Sequence, residues 1–473
     1  MPINPQYIEA ILNFCSEPSQ IISKSKWDNS VVIFYPETEN CHDIIAEMLN
    51  HFSFVIDTLP VAYYQVPIIQ GTPIHTQISD AVVYSSSSCD YDYGNSIDNI
   101  KLHKGDLLHK AGFCGEGMLI CAFDSSWEMS DTISYFQHLY ANGQIWGTRD
   151  LMPGINNVYI GNPDNPHYQL YFAHGTSTLS EMACCAEGKL VGTTPKANYF
   201  LIRTENLWAE QLLGEDFWAY AAEISDSLGA DVVSASVSYS TFDYEWQNIY
   251  TPADNNGMAS IASRAASILA QKGVIVVNSA GNKGKDEWHY ITRPADAFHI
   301  LAVGAVNKMG MASWYGSVEP SADGRVKPDV VSPGDCARAI VGKWTILNDV
   351  LTFIDGIEGT IGNFSGTSAA APIIAGLSAC FWQALPQYSS IEIMDLIRQY
   401  GNRYNNPHYR YGYGIPNFYQ CYLDHYNSVP ENAKPEFSIY PNPTSGELRI
   451  ENGEWRIENI EIFDVYGRKN SPP

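Results

Sequence analysis

The chain has 473 residues, 45% hydrophobic and 17% charged, with a formal net charge of -25 from 52 acidic against 27 basic side chains. An acidic chain has no basic footprint for a phosphate backbone, which excludes nucleic acid as a partner. The apolar content suffices for a large core in roughly two to four domains, and no run of about 20 apolar residues predicts a membrane span.

In chain order, residues 1–95 read as a small α+β unit. Residues 30–35 (Ser-Val-Val-Ile-Phe-Tyr) predict a strand, 43–49 a helix by apolar spacing, and 54–56 and 62–66 two further strands. The polar run 85–94 predicts an exposed linker. The first 14 residues lack a basic stretch followed by an apolar run, so no signal peptide is expected. Residues 96–425 alternate short apolar runs (118–123, 199–202, 232–233, 274–277 and 300–303) with helical patterns such as 260–271. Such runs suit parallel strands buried on both faces, and the alternation predicts an α/β three-layer sandwich with a mostly parallel central sheet. Residues 426–436 carry Pro430 and Pro435 and predict a linker, and 437–473 predict a short C-terminal β segment with strands at 437–440, 447–450 and 460–465. The ten cysteines are irregularly spaced, with no Cys-x-x-Cys pair, and predict mostly buried thiols with one or two disulfides if the protein is exported.

Four polar residues stand at the ends of predicted elements. Asp124 closes the apolar run 118–123, where open α/β sheets place ligand-binding groups; it also suits a turn before Ser125-Ser126. His174, in Ala173-His174-Gly175-Thr176, opens a predicted helix, as a general base or as a structural histidine. Asn282 ends Asn278-Ser279-Ala280-Gly281-Asn282 and suits either a turn or a donor to developing charge. Ser368, in Gly366-Thr367-Ser368-Ala369-Ala370-Ala371-Pro372, enters a helix. Serine there is a common cap, but its hydroxyl also lies near backbone N–H groups that stabilise an oxyanion. A hydroxyl nucleophile needs a base, and the base an orienting carboxylate.

Together these motifs resemble the subtilisin-like serine peptidases, the subtilases, whose chain order is Asp, His, Ser. Residues 324–334 (Gly-Arg-Val-Lys-Pro-Asp-Val-Val-Ser-Pro-Gly) and Tyr411-Gly412-Tyr413-Gly414-Ile415-Pro416 resemble further family segments, so the likeness spans about residues 100–425. It implies a serine endopeptidase with catalytic Asp124, His174 and Ser368, and with Asn282 donating to the oxyanion. It implies substrate binding along Ser236, Val237 and Ser238, with a primary pocket between them and Ser279, Ala280 and Gly281. Two departures bear on loop geometry: Asp124-Ser125-Ser126 lacks the usual glycine, and Ser177-Thr178-Leu179 follow the His-Gly-Thr core where the family commonly has His and small or hydrophobic residues. Separately, Ser238 stands where glycine is common, and its side chain is expected to narrow the cleft. Residues 25–90 resemble a subtilase propeptide, with self-cleavage expected between 85 and 99. The resemblance implies protein or peptide substrates and no required cofactor; Ca2+ is a possible structural ion, with no ligands identified. Residues 437–446 and 462–468 resemble the start and middle of the sorting domain of Bacteroidetes proteins exported by the type IX secretion system. That implies a secreted or cell-surface protein, whereas the missing signal peptide leaves a cytoplasmic location open. Two alternatives stand beside a secreted enzyme: an inactive subtilisin-fold binding protein and an intracellular peptidase.

Overall fold

The apolar runs become strands of one sheet. A computed structural model of the chain describes residues 5–14, 20–34, 48–59, 61, 89–152, 157–159, 174–205, 209–318, 320–341 and 359–426. It describes the backbone alone at 344–347, 350–353, 437–440, 449–452, 462–463 and 469–470. The N-terminal part has a helix α1 (Pro5–Phe14) and an antiparallel pair, β1 (Gln20–Ser25) and β2 (Ser30–Phe34). Residues 54–56, read above as a strand, are turn and coil. Phe54 lies against the helix, stacked on Tyr7 at 4.1 Å, whereas Ile56 is exposed. The strand expected at 62–66 and most of the helix at 43–49 lie outside the described residues.

The catalytic-size body then follows in order: α2 (Ile97–Lys101), α3 (Gly105–Lys110), β3 (Leu119–Asp124), α4 (Gln137–Ala141), β4 (Ile145–Asp150), α5 (His174–Ala183), β5 (Cys185–Ala186), β6 (Leu190–Val191), β7 (Asn198–Arg203), α6 (Leu213–Leu228), β8 (Val232–Ala235), α7 (Ile261–Gln271), β9 (Ile275–Ser279), β10 (Leu301–Val306), β11 (Val330–Pro333), β12 (Ala337–Val341), β13 (Trp344–Leu347), β14 (Val350–Phe353), β15 (Thr360–Phe364), α8 (Thr367–Ala384), α9 (Ser390–Gln399) and α10 (Phe418–Tyr426). Seven strands form one parallel sheet in the order β11-β10-β9-β8-β3-β7-β4, flanked by helices. Strands β3, β9 and β10 are buried along their whole length, as runs covered on both faces must be. The first strand of the sheet, β3, sits between β7 and β8, so the chain order reverses there and opens a crevice at its carboxyl end.

Local signals set the helix ends. Ser260 caps α7 by accepting from Ala262 N and Ser263 N, and Ser389 with Glu392 makes a capping box on α9. The expected exposed linker at 85–94 is corrected in part. Tyr91 and Tyr93 are buried, the Tyr93 hydroxyl lies 2.8 Å from His109 Nδ1, and Cys89 forms a disulfide with Cys114. Aromatic side chains on alternate positions of a polar run thus belong to the core. Cys121, Cys184, Cys185, Cys380 and Cys421 are buried free thiols and Cys336 an exposed one.

Strand β1 packs on α6, and the turn between β1 and β2 reaches α7. Glu223 of α6 accepts from Ser25 Oγ at 2.7 Å and from Trp27 N at 3.1 Å. Arg264 of α7 pairs with Asp28 at 2.7 Å, and Lys272 Nζ lies 5.7 Å from the centre of the Trp27 ring. The Val61 carbonyl accepts from Leu213 N and Gln247 Nε2. Residues 422–473 form a separate unit, in which β16 (Phe437–Tyr440) pairs antiparallel with β17 (Arg449–Asn452), and β18 (Ile462–Phe463) with β19 (Lys469–Asn470). Among the described residues no helix is long and apolar enough to cross a membrane.

Candidate active site

Asp124 is the last residue of β3 and its side chain is 1% exposed. His174, the first residue of α5, donates from Nδ1 to Asp124 Oδ1 at 2.7 Å. That bond assigns the ring tautomer and leaves Nε2 as the acceptor. Thr178, one helical turn on, donates to Asp124 Oδ2 at 3.1 Å. The Ser125 amide and hydroxyl bond Oδ1 at 2.7 and 3.2 Å. Ser125, at the position where the family has threonine or serine, thus supplies two donors to the carboxylate, while the serine at the usual glycine position, Ser126, is buried beside it. Helix α5 enters this corner closely: a Cβ on Gly175 would lie 2.2 Å from the Ser126 carbonyl oxygen, which only glycine permits. Phe364 packs edge-on against the imidazole with centroids 5.4 Å apart. Burial pushes the His174 pKa down, but the Asp124 charge and hydrogen bond outweigh it, and the value is raised above 6.5.

Ser368 is the second residue of α8 and its hydroxyl donates to the Ser236 carbonyl at 3.2 Å. Among the described residues it makes no bond with the imidazole, and such bonds often close only with substrate present. Ser236 follows β8, whose last residue Ala235 pairs with Phe123 of β3, so Ser236 and Asp124 stand side by side at the sheet's carboxyl edge. The Ser236 hydroxyl returns a bond to the Ser368 carbonyl at 2.9 Å. That carbonyl would normally accept from residue 372, but Pro372 has no N–H.

Asn282 is exposed, and its Oδ1 accepts from Thr367 N at 2.9 Å and Thr367 Oγ1 at 3.2 Å. Using the oxygen inward fixes the amide orientation and turns Nδ2 outward beside the serine. Ser279, Ala280 and Gly281 lead into it. The Ala280 carbonyl accepts from the Thr292 amide and hydroxyl, and Gly281 N bonds Thr367 Oγ1 at 3.1 Å. A Cβ on Gly281 would meet Thr292 Oγ1 at 2.3 Å, so Thr292 walls this segment. Val237 accepts from Asn278 Nδ2 at 3.1 Å, and Ser238 is half-buried beside it.

All ten sequence-derived candidates thus lie along the ends of β3, β8 and β9 and the first turns of α5 and α8. The sequence reading missed Thr178, Phe364, Thr292 and Thr367. Thr178 alone carried a signal, being four residues after His174 on one helical face. Among the described residues no group of three or more His, Cys, Asp or Glu is placed to hold a metal ion.

This seven-stranded parallel sheet flanked by helices, with a paired Asp and His at its carboxyl end and a serine at the start of a neighbouring helix, is the architecture of the subtilisin-like fold. The Subtilase family model matches residues 115–414, and the chain belongs to that family of serine peptidases. It is 22% identical over 331 residues to Subtilisin NAT of Bacillus subtilis subsp. natto, covering 69% of this chain and 71% of that protein. It is also 22% identical to Serine protease AprX of Bacillus subtilis, covering 60% of this chain and 61% of that protein. Among solved structures, MycP1 from the ESX-1 type VII secretion system superposes with a TM-score of 0.51 at 16% identity. The match covers 74% of this chain and 91% of that one.

Proposed function

We propose that the protein is an active endopeptidase in which Asp124, His174 and Ser368 form the catalytic triad. The observation that carries this is the 2.7 Å bond from His174 Nδ1 to Asp124, which leaves Nε2 as the only basic nitrogen of the ring. Nε2 takes the Ser368 proton as Oγ attacks the scissile carbonyl, and the Asn282 amide donates to the resulting oxyanion. The imidazolium then gives its proton to the leaving amine, and an acyl-Ser368 enzyme remains. Water, deprotonated by the same Nε2, attacks the ester, and its collapse returns the proton to Ser368. The substrate strand lies beside Ser236, Val237 and Ser238, with its primary side chain toward Ser279, Ala280 and Gly281. No step requires a cofactor, and no calcium ligands are assigned.

The N-terminal region is proposed to be a propeptide. Its docking on α6 and α7 through Ser25, Trp27 and Asp28 supports this, with self-cleavage expected between 85 and 99. Export through the type IX system is the proposed route, on the resemblance of residues 437–473 alone.

The test uses the full chain and a fluorophosphonate probe. Wild type is expected to label and to lose its N-terminal region. Ser368→Ala is expected to do neither, and Asn282→Ala to lower kcat about 100- to 1,000-fold, the size measured on subtilisin itself. A wild-type protein that folds but labels at no pH would leave the inactive binding protein as the reading.

A further inference from the structure

Residues 236–239 have two sides. The Val237 carbonyl accepts from Asn278 at 3.1 Å, and Tyr239 exchanges backbone bonds with Arg293 at 2.7 and 2.9 Å. An extended chain alternates its direction at period two, so Ser236 and Ser238 turn their backbone groups the other way. On that outer side the Ser236 carbonyl meets the Ser368 hydroxyl, and a substrate strand would pair there. The register of this edge depends on what holds Tyr239.

The Tyr239 side chain is buried to 1% exposure, stacks on Phe242 with centroids 6.4 Å apart, and leans on Gly214, where a Cβ would lie 2.8 Å from its ring. Its hydroxyl donates to Glu205 Oε1. Glu205 also accepts from Thr204 Oγ1 at 3.2 Å, and the Thr204 amide bonds the Asp124 carbonyl at 3.0 Å. One carboxyl group therefore joins the end of the strand that carries Asp124 to the edge that faces substrate. It touches neither Ser368 nor His174. Burial and the nearby Glu210 charge hold its pKa well above the carboxylate range, so the site keeps an acid at an energetic cost.

We propose that Glu205 is a positioning residue for substrate, acting through the Tyr239 hydroxyl to fix residues 236–239 for backbone pairing. The inference rests on the peptidase reading above.

The test compares two substrates: a peptide with about four residues before the scissile bond, and a single-residue ester that does not reach the edge. Tyr239→Phe and Glu205→Leu are each expected to raise KM for the peptide about tenfold and to change kcat less than about twofold; tenfold corresponds to about 1.4 kcal/mol. The ester KM is expected to stay unchanged, as is the rate of fluorophosphonate labelling of Ser368. Glu205→Gln keeps an acceptor oxygen and is expected to restore the peptide KM. The double variant Tyr239→Phe/Glu205→Leu is expected to be no worse than either single one, because both remove the same bond. If Glu205→Leu does not fold, the nearly isosteric Tyr239→Phe carries the test. An unchanged peptide KM, or an equal loss on peptide and ester, would overturn the proposal. A wild-type protein that does not label would instead remove the peptidase reading on which it stands.

Discussion

His174 sits between two opposing influences. Burial disfavours its charged form, and the Asp124 carboxylate beside Nδ1 favours it; the second prevails and raises the pKa above 6.5. In terms of stability, the charged pair favours the folded state fully below pH 6.5, and that advantage fades as pH rises through the folded value. In the proposed mechanism catalysis runs the other way, because only the neutral ring would accept the Ser368 proton. The acidic limb of kcat/KM should therefore have its midpoint above pH 6.5. Asp124→Asn removes the charge and leaves burial in place, so the midpoint should move below 6.5 while kcat falls by about 10,000-fold. A pH profile of both proteins with one peptide substrate checks this; a midpoint that does not move would show that Asp124 does not set the ring's charge.

At the level of elements, the helix that carries Ser368 depends on a neighbour. Pro372 leaves the Ser368 carbonyl without its helical donor, and Ser236 Oγ takes that place at 2.9 Å. Ser236→Ala strips a buried carbonyl of its partner and should cost about 1–3 kcal/mol. Pro372→Ala returns an N–H to the helix. In that background the Ser236→Ala loss should shrink to less than half, as read by urea unfolding of the four proteins of the cycle. Additive losses would mean that the two features are unrelated. Most elements around this helix were legible in advance. The apolar runs at 118–123, 199–202, 274–277 and 300–303 became β3, β7, β9 and β10, because strands buried on both faces need uniform side chains. Strand β4 was not legible: it lies at the sheet edge with exposed and buried residues mixed, so no single pattern marks it. Asp124, His174, Asn282 and Ser368 stood out because short motifs surround each one. Glu205 and Tyr239 could not, since their bond joins residues 34 apart with no local pattern at either end.

At the scale of the whole larger unit, Asp329 joins three distant pieces. Its Oδ2 accepts from Lys327 Nζ and from Ala302 N of β10, both at 2.8 Å, and its Oδ1 accepts from Arg398 Nε of α9 at 2.7 Å. Its carbonyl accepts from Tyr413 N, while Val331 N bonds the Gly414 carbonyl. Two sequence segments that look unrelated, 324–334 and 411–416, are thus one structural unit at the sheet's end. Asp329 and Lys327 are 4% and 3% exposed. Burial alone would raise the Asp329 pKa, but Lys327, Arg398 and the hydrogen bonds hold it below 3.8. A depressed carboxylate contributes stability above its unfolded pKa and loses it as pH falls through the folded value. Asp329→Ala leaves Lys327 buried beside Arg398 with no carboxylate between them, which should cost about 3–5 kcal/mol at neutral pH. Denaturant unfolding across pH checks both parts. The gap between wild type and variant should stay full at pH 5 and narrow only below about pH 3.8. A gap under about 1 kcal/mol at pH 7 would show that the chain tolerates the two cations through other contacts, and that this junction does not hold the sheet to α9.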